Sequence, residues 1–189
     1  MRSVLKVIDN FNKGLEILVG LALVLMTALI FIQVLVRLLF AKLNIQFSVP
    51  WTEELARYLM IWAIFIGAAL VARRADALAV EALVQAVPAS VARAIKYSAH
   101  FLALVFYAII FVIGLDWAKF GMSETAPVLG VGMVWVYASL SVGAALTIVN
   151  ALALLVEVWI DRKDILDVVD HEVDDVVHEV EMSLSTQKA

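Results

Sequence analysis

The sequence predicts an all-α integral membrane protein with four transmembrane helices. Of its 189 residues, 64% are hydrophobic and 17% charged, and the apolar residues gather into four long uncharged stretches. A soluble domain is usually near half apolar, and one of this length could not hide the excess. The chain has no cysteine, which removes disulfide scaffolds, thiolate metal sites and cysteine nucleophiles together. Its 14 Lys+Arg against 18 Asp+Glu give a formal charge of -4, which argues against nucleic acid as a partner.

The first stretch, Ile17 to Val36, is 20 uncharged residues broken only by Thr27 and Gln33. A helix of that length crosses roughly 30 Å of hydrocarbon. Arg37 and the bulky Leu38 to Phe40 follow it where a secretory signal would place small residues, so an uncleaved helix over 17–37 is expected. Ahead of it, Val4, Ile8 and Phe11 share a face opposite Lys6, Asp9 and Lys13, a pattern that predicts a short helix lying on the membrane surface.

The second stretch, Tyr58 to Ala72, is short alone, but Arg57 can extend its charge to the interface and bring the crossing to 53–72. The third, Tyr97 to Leu115, contains His100 and predicts a span over 96–116. The last, Thr125 to Val156, opens with Pro127, Gly130 and Gly132, so a turn should precede a helix over 132–156. Between the second and third spans, Leu78, Leu83, Val84 and Val87 with Asp76 and Glu81 read as a surface helix ending at Pro88.

With the N-terminus in the cytoplasm, ten basic residues fall inside and four outside, namely Arg37, Lys42, Arg57 and Lys119. The positive-inside tendency then places both termini in the cytoplasm. Trp51, Trp117, Trp135 and Trp159 mark the boundaries, and Trp62 lies inside the second helix. Residues 1–160 form the membrane domain with a charge of +2. Residues 161–189 form an acidic tail of -6, in which Leu166, Val169, Val173, Val176 and Val180 keep amphipathic helical spacing.

Ionisable groups in a membrane are costly and mark functional candidates. Glu53, Glu54 and Arg57 open the second helix after Thr52, a reasonable N-cap, and Glu53 lies four residues before Arg57, suited to an ion pair. A capped, charge-paired helix start accounts for them; a bond from Glu53 or Glu54 to a partner protein is the functional alternative. His100, with His171 and His178 in the tail, builds neither a bis-histidine haem site nor a three-ligand zinc site. Ser139 and Ser141 sit in no nucleophile elbow. No catalytic, cofactor or metal residue is expected, and the chain is not expected to be an enzyme.

Small residues carry the clearer pattern. Ser139, Gly143, Thr147 and Ala151 recur every four residues in the fourth helix, as do Ala63 and Gly67 in the second. Membrane helices meet where small residues let backbones approach. Arg73 and Arg74 are expected to anchor anionic lipid headgroups, with an inter-subunit bond as the sharper alternative.

The run Trp51-Thr52-Glu53-Glu54-Leu55-Ala56-Arg57-Tyr58-Leu59-Met60-Ile61-Trp62, continuing through Phe65-Ile66-Gly67-Ala68-Ala69 to Arg73 and Arg74, then Val80-Glu81 and the turn from Pro88 to Arg93, resembles a known family. This is the small membrane subunit of tripartite ATP-independent periplasmic (TRAP) transporters. The resemblance covers roughly residues 1–160. The family commonly has a His and an apolar residue, then Val-Asp, after the arginines; here Ala77, Leu78, Val80 and Glu81 stand there.

The resemblance implies an accessory subunit in a bacterial inner membrane. Its partners would be a large multispanning membrane subunit that holds the substrate and ion sites, a periplasmic substrate-binding protein, and membrane lipids. Uptake of an organic acid would be driven by an ion gradient, generally sodium. Interface candidates are Trp51, Glu53, Glu54, Arg57, Trp62, Gly67, Arg73, Arg74, Glu81, Ser139, Gly143 and Thr147. The alternative is a self-sufficient homo-oligomeric transporter or channel. That would need a polar residue near midplane on a shared face, for which Gln33, His100 and hydroxyls are the candidates.

Overall fold

The computed structural model describes residues 2–42, 49–74 and 87–161. They form four helices: α1 (Arg2–Lys42), α2 (Pro50–Arg74), α3 (Ala89–Phe120) and α4 (Val134–Asp161). Each contains a segment long and apolar enough to cross a membrane: Leu5–Leu39, Pro50–Arg73, Ala89–Phe120 and Val134–Ile160. The predicted surface helix around Glu81 and the acidic tail from 162 onward lie outside the described residues.

Helix α3 begins at Ala89, directly after Pro88, so residues 89–93 are its first turns rather than the turn expected ahead of a span at 96. Two other helix starts also differ from the sequence expectation. No separate surface helix precedes the first span, because α1 runs unbroken from Arg2. No proline interrupts residues 2–42, and side chains of its first third are tied to α2 and α4, as described below. At 1.5 Å per residue, the 35 apolar-span residues of α1 reach roughly 50 Å, so α1 tilts or extends beyond the bilayer. The second difference concerns Thr52. Helix α2 begins at Pro50, whose fixed φ suits a first helical turn, so Thr52 is inside the helix rather than its N-cap. Its hydroxyl donates back to the Val49 carbonyl at 2.7 Å.

Helix α4 is the core of the arrangement. It packs against both α2 and α3; α1 lies mainly on α2 and touches α4 lightly; α3 contacts α4 alone among the described helices. Half of α4's apolar window is buried, against 6% for α3. The side-to-side order is therefore α1, α2, α4, α3. Asp9 meets Arg73 and Gln33 meets Glu53, so α1 and α2 are antiparallel. Asn150 meets Ala69 while Trp62 meets Trp135, so α2 and α4 are parallel. Asp9 of α1 and Glu157 of α4 thus share one end of the bundle with Arg73.

Close backbone approaches set these contacts. A Cβ added at Gly143 would stand 2.5 Å from Phe65 Cβ and 3.0 Å from the Phe65 carbonyl oxygen, which marks the α2–α4 crossing. At Gly114 an added Cβ would stand 2.9 Å from the Ser141 nitrogen, which marks the α3–α4 crossing. Along α4, Ser139, Gly143, Thr147 and Ala151 are all buried. The Ser139 hydroxyl donates to Val136 O and that of Thr147 to Gly143 O, so both polar groups are satisfied within their own helix.

Candidate functional site

Polar side chains collect at the two ends of the bundle. At the first end, Arg73 at the foot of α2 extends its guanidinium between Asp9 of α1, 2.9 Å away, and Glu157 of α4. Its side chain is only 13% exposed. Arg73 is therefore engaged within the chain, where the sequence reading had placed it on lipid headgroups or a second subunit. The side chain of Arg74 and the whole of Glu81 lie outside what the structure describes.

One to two turns further in, two buried amides face each other. Asn12 Nδ2 donates to Asn150 Oδ1 at 2.8 Å, and Asn150 Nδ2 donates to Asn12 Oδ1 at 3.0 Å and to the Ala69 carbonyl at 2.7 Å. This pair joins α1, α2 and α4 at one point. Sequence reading missed it, naming Gln33, His100 and hydroxyls as the polar residues near midplane. The signal was present, since an amide inside an otherwise apolar span must find a partner.

At the opposite end the adjacent glutamates have separate roles. Glu53 is exposed and pairs with Arg57 at 3.0 Å, as the four-residue spacing predicts; the two side chains are 60% and 61% exposed. Gln33 of α1 donates to Glu53 at 3.4 Å. Glu54, one position round the helix, is buried. One of its oxygens accepts the backbone N–H groups of Val128 and Leu129, at 3.1 and 2.7 Å, and the other accepts the Tyr58 hydroxyl at 2.7 Å. Glu54 thereby holds the α3–α4 connection against α2.

That connection, residues 121–133, is built to meet the carboxylate. Gly130 has φ +66, a conformation that favours glycine, and its N–H closes a turn on Ala126 O at 3.0 Å. Ala126 N–H donates to Val131 O and Met133 N–H to Glu124 O, flanking a bridge between Thr125 and Gly132. The loop's own hydrogen bonds leave the Val128 and Leu129 amides for Glu54. Replacing Glu54 by Gln keeps the shape but loses the charge that strengthens these bonds. Glu54→Gln is expected to speed amide exchange at Val128 and Leu129 in hydrogen-deuterium exchange, and Glu53→Gln to leave it unchanged. Equal exchange in the two variants would contradict the assignment.

The other candidates are spread through the bundle. Trp51 is exposed at the start of α2, and Trp62 donates its indole N–H to Trp135 O at 3.1 Å, tying α2 to the start of α4. Gly67 faces open space, since an added Cβ meets nothing within 4 Å. His100 Nδ1 donates to Lys96 O at 2.9 Å within its own helix. Among the described residues, no three His, Asp or Glu side chains converge as metal ligands.

The fold therefore defines a multi-pass helical membrane protein whose polar groups join helix to helix. Residues 26–161 match the family described as tripartite ATP-independent periplasmic transporters, DctQ component, and the chain belongs to that family. A protein of Haemophilus influenzae named as a TRAP transporter small permease protein is 31% identical over 121 residues, covering 63% of this chain and 71% of that protein. The chain is thus a transporter subunit of the small-permease type, and the resemblance read from residues 51–93 is confirmed.

Proposed function

We propose that this subunit is an accessory scaffold. It joins laterally to a large multispanning subunit in a bacterial inner membrane and, with a periplasmic substrate-binding protein, supports ion-gradient-driven uptake of an organic acid. The observation that carries the scaffold reading is the use of the interior polar groups. Asn12, Asn150 and Arg73 bond across helices, Glu54 bonds the α3–α4 connection, and the groove over α4, of about 180 Å³, is lined by apolar and aromatic residues apart from Ser139. A solute path needs polar groups free to exchange partners with the solute, and these are occupied in fixing helix positions.

In this reading the Arg73 end faces the cytoplasm, following the excess of basic residues on that side, and the Glu54 end faces the periplasm. The loop held by Glu54 then becomes a firm surface outside the membrane. Because the chain has no native cysteine, one introduced at Ser123 gives an unambiguous label. Ser123→Cys is expected to react with a membrane-impermeant maleimide added to the periplasm; labelling only after the inner membrane is opened would reverse the topology.

Affinity purification from native membranes in mild detergent tests the function itself. Recovery of a larger polytopic protein with this chain is expected, and the chain reconstituted alone should move no solute. Flux through the isolated chain, with no larger protein recovered, would overturn the scaffold reading in favour of a self-sufficient transporter.

A further inference from the structure

We propose that the acidic segment after α4, residues 164–181, returns as a helix to the outer face at the foot of α1, where Lys6, Val7, Phe11 and Lys13 receive it. This contact depends only on connectivity and charge within the chain, and holds whichever subunits the chain joins.

The segment needs a partner of a particular kind. It carries eight acidic residues and no lysine or arginine, and the stripe Leu166, Val169, Val173, Val176 and Val180 gives its helix an apolar side. Helices that lie on bilayers set Lys and Arg against anionic headgroups, whereas this one would set carboxylates there. A basic protein surface with apolar side chains satisfies both parts. In a helix of that register Glu172 and Glu179 flank the stripe on one edge, seven residues apart, with His171 and His178 on the far side.

The foot of α1 carries the matching pattern. Val7 and Phe11 are exposed one turn apart, and Lys6 and Lys13, also exposed, lie to one side of them with the same seven-residue spacing. Two helices laid along each other can therefore set Glu172 and Glu179 opposite the two lysines in either direction. The foot also stands clear of the hydrocarbon. Asp9 is level with Arg73 and Gln33 with Glu53, and the 24 residues from Asp9 to Gln33 rise about 36 Å against a core of roughly 30 Å, so the residues before Asp9 project past it.

Connectivity and existing pairs select this surface from the other basic ones. Asp9 and Glu157 share Arg73, and Glu157 lies one turn before α4 ends at Asp161, so the chain leaves the bundle beside α1. Arg57 and Lys119 are held by Glu53 and Asp116 at the opposite end of the bundle, and Arg37 lies toward that end too. Arg73 is taken by its own ion pairs, and Arg93 and Lys96 at the foot of α3 already have partners. Lys6 and Lys13 bond to nothing among the described residues. Tethering through Arg162 and Lys163 gives the contact a local concentration on the order of millimolar, so screened surface ion pairs can hold it.

Because the chain has no cysteine, disulfide trapping in native membranes reads the contact directly. Val7→Cys is combined with Val173→Cys or with Val176→Cys and oxidised. At least one pair should form a disulfide within a single chain, identified by mass spectrometry of the joined peptides from co-expressed isotope-labelled and unlabelled copies. The yield should fall several-fold as salt rises from about 0.1 M to about 1 M, since the screening length shrinks from about 10 Å to about 3 Å. Lys6→Glu/Lys13→Glu should lower the yield at low salt, and adding Glu172→Lys/Glu179→Lys should restore it. Ser90→Cys at the foot of α3, combined with the same tail cysteines, should trap far less. Equal trapping from Ser90→Cys, disulfides only between copies, or a yield indifferent to charge reversal would each overturn the proposal. So would the absence of a Val7→Cys disulfide in chains whose two cysteines both react with a maleimide.

Discussion

Gly143→Leu is expected to prevent assembly of a stable bundle, and Gly67→Leu to leave the bundle folded. The two glycines both occupy small-residue stripes, but only one is in a helix crossing. At Gly143 even the first added carbon would stand 2.5 Å from Phe65 Cβ and 3.0 Å from the Phe65 carbonyl oxygen. A rotamer change at Phe65 moves neither of those atoms, so α2 and α4 must separate. Overpacking in a close-packed interior typically costs about 1–3 kcal/mol, and backbone displacement across a helix pair puts this case at the upper end.

Separating α2 from α4 also pulls at the bonds that depend on their register. Trp62 to Trp135, Glu54 to Val128 and Leu129, and Asn150 to Ala69 all bridge α2 to α4 or to the loop that leads into it. Gly143→Ala should already lower the apparent Tm of the detergent-solubilised protein. Gly67→Ala should hold or raise it, since Ala exceeds Gly in helix propensity by about 1 kcal/mol and its methyl meets nothing. The measurement is thermal unfolding followed by size-exclusion chromatography, and equal losses at the two positions would refute the crossing.

Sequence alone carries the four helices because each depends on a run of local residues. Hydropathy gives the spans, and Pro88, Gly130 and Gly132 punctuate their ends. The Glu53–Arg57 pair is equally local, being one helical turn. What sequence cannot supply is the choice between neighbours. Glu53 and Glu54 are the same residue type one position apart, yet the 100° between them sends one outward and the other onto backbone amides more than 70 residues away.

Arg73 shows a different kind of gap. Next to Arg74 at the end of an apolar run, it reads as a headgroup anchor. The acceptors that change that reading, Asp9 and Glu157, come from the two ends of the membrane domain and meet only after three helices are assembled. The continuity of α1 has the same origin: amphipathic spacing in residues 4–13 suits a membrane surface until Asp9 and Asn12 are seen to have partners in α2 and α4.

Asn150→Leu is expected to weaken the attachment of α1 more than any other single loss of hydrogen bonds in the bundle. The Asn150 side chain takes part in three bonds, two with Asn12 and one with Ala69 O. Interhelical hydrogen bonds in membranes average only about 0.6 kcal/mol each. The larger penalty is what remains: Asn12 is buried, and an amide without partners costs about 1–3 kcal/mol more. This sets up a test by reversal. Asn12→Leu/Asn150→Leu removes both amides, so no polar group is left unpaired except the outer lone pair of Ala69 O, which still accepts its helical bond. The double variant should therefore be more stable than the sum of the single losses predicts, with protease cleavage within residues 2–16 falling back toward the wild-type rate. Strict additivity would show that the two amides do not act as a pair, and that α1 is held by Leu29 and the Arg73 ion pairs instead.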